Sequence, residues 1–331
     1  MSTSSSRSRP WIFLAKRLAY GLLAILAIAV INFFLLKMAP GDAAEAMAGE
    51  AGTATPEYIA ELRAQFGLDQ PVLVQLGHFL GRLVTLDLGY SFRYGEDNVT
   101  LIFDRLPATL MLMLASLLVA LIGGIVFGVT AARYANRAPD QAISLVALLL
   151  YATPPYWIGL ILILVFSVWL GWTPTSGMVD VLAFNTGWAH VVDVAHHMIL
   201  PALTQAFFYL AIYIRLVRAG MLDVLSLDFV RVARAKGISE SRIMYRHALR
   251  NAVLPLLTVV GTNLGGFLGG AVLTETVFSW PGVGRLMFDA MFARDLNLLL
   301  SILVLSSAFV VLTNLVVDLL YVVINPTVEL K

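Results

Sequence analysis

The chain contains no cysteine among 331 residues, which excludes structural disulfides and thiolate metal sites but leaves the compartment open. Charge is scarce: 13% of residues are Asp, Glu, Lys or Arg, against roughly 25% in soluble domains. The net charge is only +1, so nothing invites nucleic acid. The sequence has no Gly-x4-Gly-Lys-Ser/Thr phosphate loop, no nucleophile elbow and no zinc-protease motif, so no catalytic, cofactor or metal residues are assigned. The chain is not its own motor. Paired carboxylates, histidines or a Ser-Lys arrangement within the apolar runs are also missing, which argues against a membrane-embedded enzyme. Acidic groups within those runs are confined to their ends, at Glu275 and Asp318. Carriers driven by ion gradients usually hold carboxylates deep in their path, and no inverted repeat is visible. An ion-coupled secondary transporter is therefore the weaker, different-class alternative.

Hydrophobic residues make up 59% of the chain. They fall in six runs long enough to cross about 30 Å of hydrocarbon, roughly 17–25 residues each. The runs are Leu18–Leu36, Ala108–Ala132, Ala142–Leu170, Met198–Ile214, Ala252–Thr274 and Leu298–Val317. Backbone polar groups must be satisfied internally in lipid, so these runs are expected to be helices of an all-α integral membrane protein. Thr153-Pro154-Pro155 is expected to kink the third, and Pro201 to lie in the first turn of the fourth. With the N-terminus inside, the inner segments hold 15 Lys and Arg and the outer ones 7, five of them in one long loop. This favours an N-in, C-in orientation. The first run resembles a cleaved leader in its basic start and in Ala44-Glu45-Ala46 beyond it. Its apolar core is too long and its Phe33-Phe34-Leu35-Leu36 end too bulky, so it reads as a span.

The loop 37–107 is too long to be structureless. Thr55 and Pro56 read as a helix start, Ile59, Leu62 and Phe66 share one face, and Gly67 supplies a stop. A lid over the outer mouth and a packing insert fit equally well. His190, His196 and His197 suggest a metal site, but adjacent helical histidines point about 100° apart and rarely share an ion.

Between the fourth and fifth runs, residues 215–250 carry eight Lys and Arg, and the segment 223–250 holds two expected short helices, around Asp223–Lys236 and Ser239–Arg250, broken at Gly237. The run Asp228-Phe229-Val230-Arg231-Val232-Ala233-Arg234-Ala235-Lys236-Gly237 reads as a basic helix outside the hydrocarbon, offered to a soluble partner. An ordinary basic loop on lipid head groups is the plainer reading of its charge. In the fifth run, Asn263, Gly265, Gly266, Gly269 and Gly270 form a small-residue face suited to the pore, to a seam with another chain, or to plain packing. Gly124 and Gly128 read as packing.

The basic run resembles the cytoplasmic coupling segment of ABC importer permeases of the dipeptide/oligopeptide/nickel class. Further segments resemble that family in order: Ala39-Pro40-Gly41-Asp42, Gly67-Leu68-Asp69-Gln70-Pro71, Asp87-Leu88-Gly89-Tyr90-Ser91, Arg105-Leu106-Pro107-Ala108-Thr109-Leu110, Thr153-Pro154-Pro155-Tyr156-Trp157, His247-Ala248-Leu249-Arg250-Asn251-Ala252 and Glu275-Thr276-Val277-Phe278-Ser279-Trp280-Pro281-Gly282-Val283-Gly284. Leu86 and Asn297 depart from the family pattern, in which Gly and Pro are usual, and Arg231 replaces the glutamate of the wider motif, as is common in the peptide subclass. The resemblance implies six transmembrane helices in the bacterial inner membrane. Its layout is a cytoplasmic segment 1–17, a first span 18–36, an outer loop 37–107, a transmembrane domain 108–325 and a tail 326–331. It further implies a second related permease chain, two cytoplasmic ABC ATPase chains and an extracytoplasmic substrate-binding protein. Asp228, Phe229, Arg231, Ala233, Arg234, Lys236 and Gly237 would sit at a groove on an ATPase subunit. The implied cargo is di- or oligopeptides, with nickel or another metal chelate as the alternative.

Overall fold

The computed structural model describes residues 10–38, 44–45, 48, 55–85, 87–91 and 93–324. Ala39-Pro40-Gly41-Asp42, Leu86, Ala46, residues 1–9 of the expected N-terminal segment 1–17 and the expected tail 326–331 lie outside the described residues, as do the side chain of Asp318 and the surroundings of Gly270. The described helices in chain order are α1 (Pro10–Lys37), α2 (Pro56–Gln65), α3 (Val72–Val84), α4 (Asn98–Arg133), α5 (Ala138–Ala152), α6 (Pro155–Leu162, continued by a π-helical stretch Ile163–Trp169), α7 (Gly187–Leu225), α8 (Asp228–Ala235), α9 (Glu240–Arg242, continued by a π-helical stretch Ile243–Ala248), α10 (Leu249–Ala252), α11 (Leu254–Val277), α12 (Val283–Phe292) and α13 (Leu296–Ile324). A two-stranded antiparallel hairpin pairs Tyr90 with Asp97 and Ser91 with Glu96.

Among the described residues, four helices are long and apolar enough to cross a membrane: Lys16–Leu35, Asn98–Arg133, Gly187–Leu225 and Leu296–Val317. A fifth span arises if α5 and α6 count as one, although they meet at 108°. The expected kink is thus a break. Pro154 and Pro155 have no N–H to donate, and Thr153, restricted by the proline after it, leaves the helix at ψ 130. The fifth apolar run is the 24-residue helix α11, about 36 Å long at 1.5 Å per residue. α7 corrects the expected fourth span. It is 39 residues long and Pro201 lies in its interior, because Gly187–His197 continues the helix although too polar to read as apolar span.

The chain divides into two compact units, Met1–Leu106 with Leu286–Lys331, and Pro107–Arg285. In the first, α1 packs along α13, so closely that a Cβ on Gly21 would meet Val311 Cγ1 at 2.6 Å. Thr55 caps α2 by accepting from the Tyr58 N–H at 3.4 Å, and Leu62 is buried with Ala44 and Ala48 beneath Tyr58, Ile59 and Phe66. The Asp87–Ser91 motif is tied to α13. Asn98 Nδ2 donates to Leu88 O (2.8 Å) and Ser301 Oγ (3.1 Å), Ser91 Oγ donates to Asp295 Oδ2 (2.6 Å), and Asn297 Nδ2 donates to Tyr90 O (3.1 Å). Asn297, the departure from the family pattern, supplies a bond that proline has no group to make.

The core of the second unit forms where α4, α5 and α11 pack on α7. Ala206, Leu210, Ala211, Tyr213, Ile214, Val217 and Met221 of α7 are buried in one cluster with Ala120 and Val129 of α4 and Leu256 of α11. Small residues allow the approach. A Cβ on Gly124 would meet Tyr213 Cβ at 2.5 Å, and one on Gly128 would meet Val217 Cβ at 2.7 Å and Ile214 O at 3.0 Å. Both glycines are packing residues, as read from the sequence.

Candidate functional site

The basic segment between α7 and α11 is built as a short helix with two unlike faces. Asp228 opens α8, placing a carboxylate at the positive helix end, and the preceding turn at Ser226 and Leu227 separates it from α7. Asp223 therefore belongs to the last turn of α7 and not to the start of a coupling helix. At 100° per residue, Val230 and Ala233 share one face, and both are buried against Ile243, with Leu225 and Ile238 alongside. Facing outward are Phe229 and Val232, 43% and 51% exposed, among Asp228, Arg231, Ala235 and Lys236.

Gly237 ends the helix by geometry and not by contact. It lies at φ 71, and nothing stands within 4 Å of where a Cβ would be. The Ile238 N–H bonds Ala233 O at 3.2 Å and the Gly237 N–H bonds Arg234 O at 2.9 Å, the paired closure that a left-handed residue after a helix makes. The chain then reverses, and Arg234 clamps it: Nε donates to Glu240 Oε1 at 2.7 Å and a terminal nitrogen to Oε2 at 3.3 Å. These hydrogen bonds hold the Glu240 carboxyl below its ordinary value. Arg231 bonds Asp228 at 3.1 Å, one turn back.

Of the residues expected to meet a partner, Asp228, Phe229, Arg231, Lys236 and Gly237 are exposed. Ala233 is a correction, since it faces inward as part of the helix's own support. Arg234, though exposed, is engaged with Glu240. Val232 belongs to the outer face and was missed; its spacing of three from Phe229 was the available signal. Ser239 stands at the start of α9 without a side-chain cap bond.

The end of α7 nearest α8 is anchored by a pair that the sequence reading missed. Asp140, 2% exposed, accepts from Arg218 Nε at 2.6 Å and from its terminal nitrogen at 2.7 Å. The Asn136 N–H adds a third bond at 2.8 Å. Two-point guanidinium–carboxylate geometry fixes both position and orientation, so the base of α7, seven residues before Leu225, is fastened to α5.

The residues proposed for pore or seam do not share one environment. Gly266 backs on Tyr209, whose hydroxyl would lie 2.9 Å from a Cβ there, so it serves packing of α11 on α7. Gly269 faces open space, and Asn263 and Gly265 are half-buried. At the far end of α11, Glu275 is buried and satisfied: Thr109 Oγ1 donates to Oε1 at 2.7 Å and the Arg285 N–H to Oε2 at 3.0 Å. Trp280 Nε1 donates to Ala108 O at 2.9 Å, and Gly282 and Gly284 leave no room for a Cβ beside Glu275. The Glu275–Gly284 motif is a folded knot that ties this loop to the start of α4.

His196 Nε2 lies 2.9 Å from Trp172 O, and His197 Nδ1 is 3.0 Å from both the carbonyl and a carboxylate oxygen of Asp193. Their rings stand at 80° to each other. Among the described residues, no group of three or more His, Cys, Asp or Glu is arranged to hold a metal.

Residues 124–330 match the family described as binding-protein-dependent transport system inner membrane component, and residues 11–113 match the N-terminal region of the same kind of component. The chain is 40% identical to the oligopeptide transport system permease protein AppB of Bacillus subtilis, over 96% of this chain and 99% of that protein. It is 40% identical to the di/tripeptide transport system permease protein DppB of Pseudomonas aeruginosa, over 96% and 98%. Identity to the dipeptide transport system permease protein DppB of Escherichia coli is 38%, over 96% and 99%. A solved structure of the MetNI methionine ABC transporter in an inward-facing conformation superposes with TM-score 0.54 at 15% identity, covering 69% of this chain and 97% of that one. At that identity the likeness speaks for the fold alone.

Proposed function

This chain belongs to the family of binding-protein-dependent transport inner-membrane components, and on that premise we propose that it forms half of the translocation pore of an ATP-driven importer of di- and oligopeptides. It is a multi-pass inner-membrane permease subunit, with ATP hydrolysis on separate chains. The relatives named above are peptide permeases, which supports peptides over nickel or another chelate as cargo. Six spans with both termini inside, a second related permease, two ATPase chains and a binding protein complete the reading.

The observation that carries the coupling assignment is the two-faced helix α8. Its back is fixed by Val230 and Ala233 on Ile243, and its front offers Phe229 and Val232 within a rim of Asp228, Arg231 and Lys236. An apolar centre with a charged rim is the composition of a protein-binding patch. Movement of the ATPase chains on closing would push α8 as a rigid body. The Arg234–Glu240 clamp and the adjoining end of α7, pinned by Asp140 and Arg218, would carry that push into the spans. Cargo passing from the binding protein needs little specific chemistry in the pore, which fits the scarcity of charge along it.

The test is purification of the tagged chain in mild detergent, identification of its companions and assay of ATP hydrolysis. Two ATPases and a second permease, with hydrolysis stimulated by peptide-loaded binding protein, are expected. A lone chain that transports on reconstitution without hydrolysis would move the assignment to a gradient-driven carrier. Retention of the ATPases by a Phe229→Asp, Val232→Asp double variant would remove α8 from the interface and favour a lipid-facing basic loop.

A further inference from the structure

At the end of α7 remote from α8, the turn before this helix exposes apolar side chains that its own unit does not cover. Val181, Leu182, Phe184 and Trp188 are 75%, 84%, 85% and 78% exposed. Aromatic side chains alone offer roughly 150–250 Å² each, and contiguous apolar surface beyond a few hundred Å² marks an interaction site. The turn is nevertheless built. Asp193 on α7 accepts from the Asp180 N–H at 2.9 Å and from Asn185 Nδ2 at 3.3 Å, and Asp180 Oδ1 accepts from the Leu182 N–H at 2.9 Å. Phe184 is held at φ 45, a left-handed conformation that costs a bulky residue about 1–2 kcal/mol. The polar groups are folded inward onto Asp193 while the apolar ones are left outside, an arrangement that soluble surroundings would disfavour.

The depth of this turn along α7 indicates what covers it. About 20 helical residues cross the hydrocarbon. Counted from Ile214, next to Arg215 where the basic stretch begins, they end near Val194, adjacent to the Asp193 that pins the turn. No Lys or Arg occurs from Gly171 to His197. Trp169 and Trp172 at the end of the bent span are exposed as well, and the Trp172 carbonyl lies 2.9 Å from His196 Nε2 on α7. Tryptophan and other aromatics at that depth are the signature of the membrane–water boundary.

We propose that the turn Val181–Trp188 is an interfacial anchor that inserts into the head-group and acyl boundary of the bilayer, with phospholipid as its occupant. The inference rests on the chain being embedded in a membrane, and not on its cargo or on α8. Insertion holds the outer end of α7 at a fixed depth while its other end is moved.

The absence of cysteine makes the test clean. Single variants Leu182→Cys and Phe184→Cys are spin-labelled in the full chain, purified with its companion subunits and placed in phosphatidylethanolamine/phosphatidylglycerol nanodiscs. Val126→Cys, exposed within the apolar run of α4, is the membrane reference, and Glu57→Cys, exposed on α2, the aqueous one. Collision with oxygen is expected to exceed collision with a water-soluble nickel chelate at 182 and 184, as at 126, with the sign reversed at 57 and no change on adding binding protein. Nickel collisions exceeding oxygen at both positions would overturn the proposal in favour of a solvated turn. Low collision with both reagents would overturn it in favour of a protein cover, from the second permease or the binding protein. Should Phe184→Cys fail to fold, Leu182→Cys decides alone.

Discussion

Gly237 and Arg234 act on the same reversal by different physics. A side chain at φ 71 is strained whatever the free space, so Gly237→Ala should cost about 1–2 kcal/mol at this turn. Because the strain is local, the chain should still reach the membrane, while ATP hydrolysis loses its response to loaded binding protein. Gly237→Asp should behave likewise. Arg234→Glu places like charges across the turn, and the reversed pair Arg234→Glu, Glu240→Arg should recover coupling. Failure of the reversed pair would mean that Arg234 matters for a partner and not for the clamp. The proton linkage has a definite sign. Glu240 is depressed by its bonds to Arg234, so the clamp's contribution is present above the ordinary glutamate value and fades as pH falls through the folded value. Both side chains are exposed and screened, so the effect should appear in uptake, as pH falls below the ordinary glutamate value, more clearly than in melting. At Asp140 the setting is different. Asp140→Ala leaves the Arg218 guanidinium without its partner, and breaking such a buried pair costs about 3–5 kcal/mol, which a fall in detergent melting temperature would register.

Helices in the second unit meet through glycine, and the glycines are not equivalent. Gly128→Val would drive a side chain into Val217 and Ile214 O, an overpacking that costs about 1–3 kcal/mol. Folded yield of the isolated chain should drop accordingly. A Cβ added at Gly269 meets nothing within 4 Å among the described residues, so Gly269→Val is the contrasting variant. Its melting temperature should stay unchanged while recovery of the second permease falls, if this stretch of α11 is the seam. Unchanged recovery would leave Gly269 to the pore. The prolines of the third span also act at this scale. Two consecutive missing donors were readable as a kink, whereas the 108° turn between α5 and α6 arises from how α6 then packs beside α7 and α11.

For the molecule as a whole, orientation is the quantity with the plainest test. Fifteen Lys and Arg on one set of segments against seven on the other require that a reporter fused after Lys331 report from the cytoplasm. Activity outside would refute six spans with both ends inside. The loop 37–107 was partly readable in the same way: the Thr55 cap, Pro56 and the Gly67 stop all appear where local chemistry asks for them. Its attachment was not, because the bonds from Ser91 and Tyr90 to Asp295 and Asn297 join residues about 200 positions apart.

Local and periodic properties were determined by the sequence alone: a membrane protein with long apolar helices, a short basic helix between two of them, a break at Gly237 and close packing at Gly124 and Gly128. Each depends on transfer cost, charge or backbone freedom, which neighbouring residues are enough to set. Tertiary structure alone decided which face of α8 looks outward, turning Ala233 in and Val232 out. It also joined Asp140 to Arg218 across 78 residues and Glu275 to Thr109 across 166. The composition around those carboxylates does not name their partners, because a buried charge is stable only beside donors that the packing of distant helices brings to it.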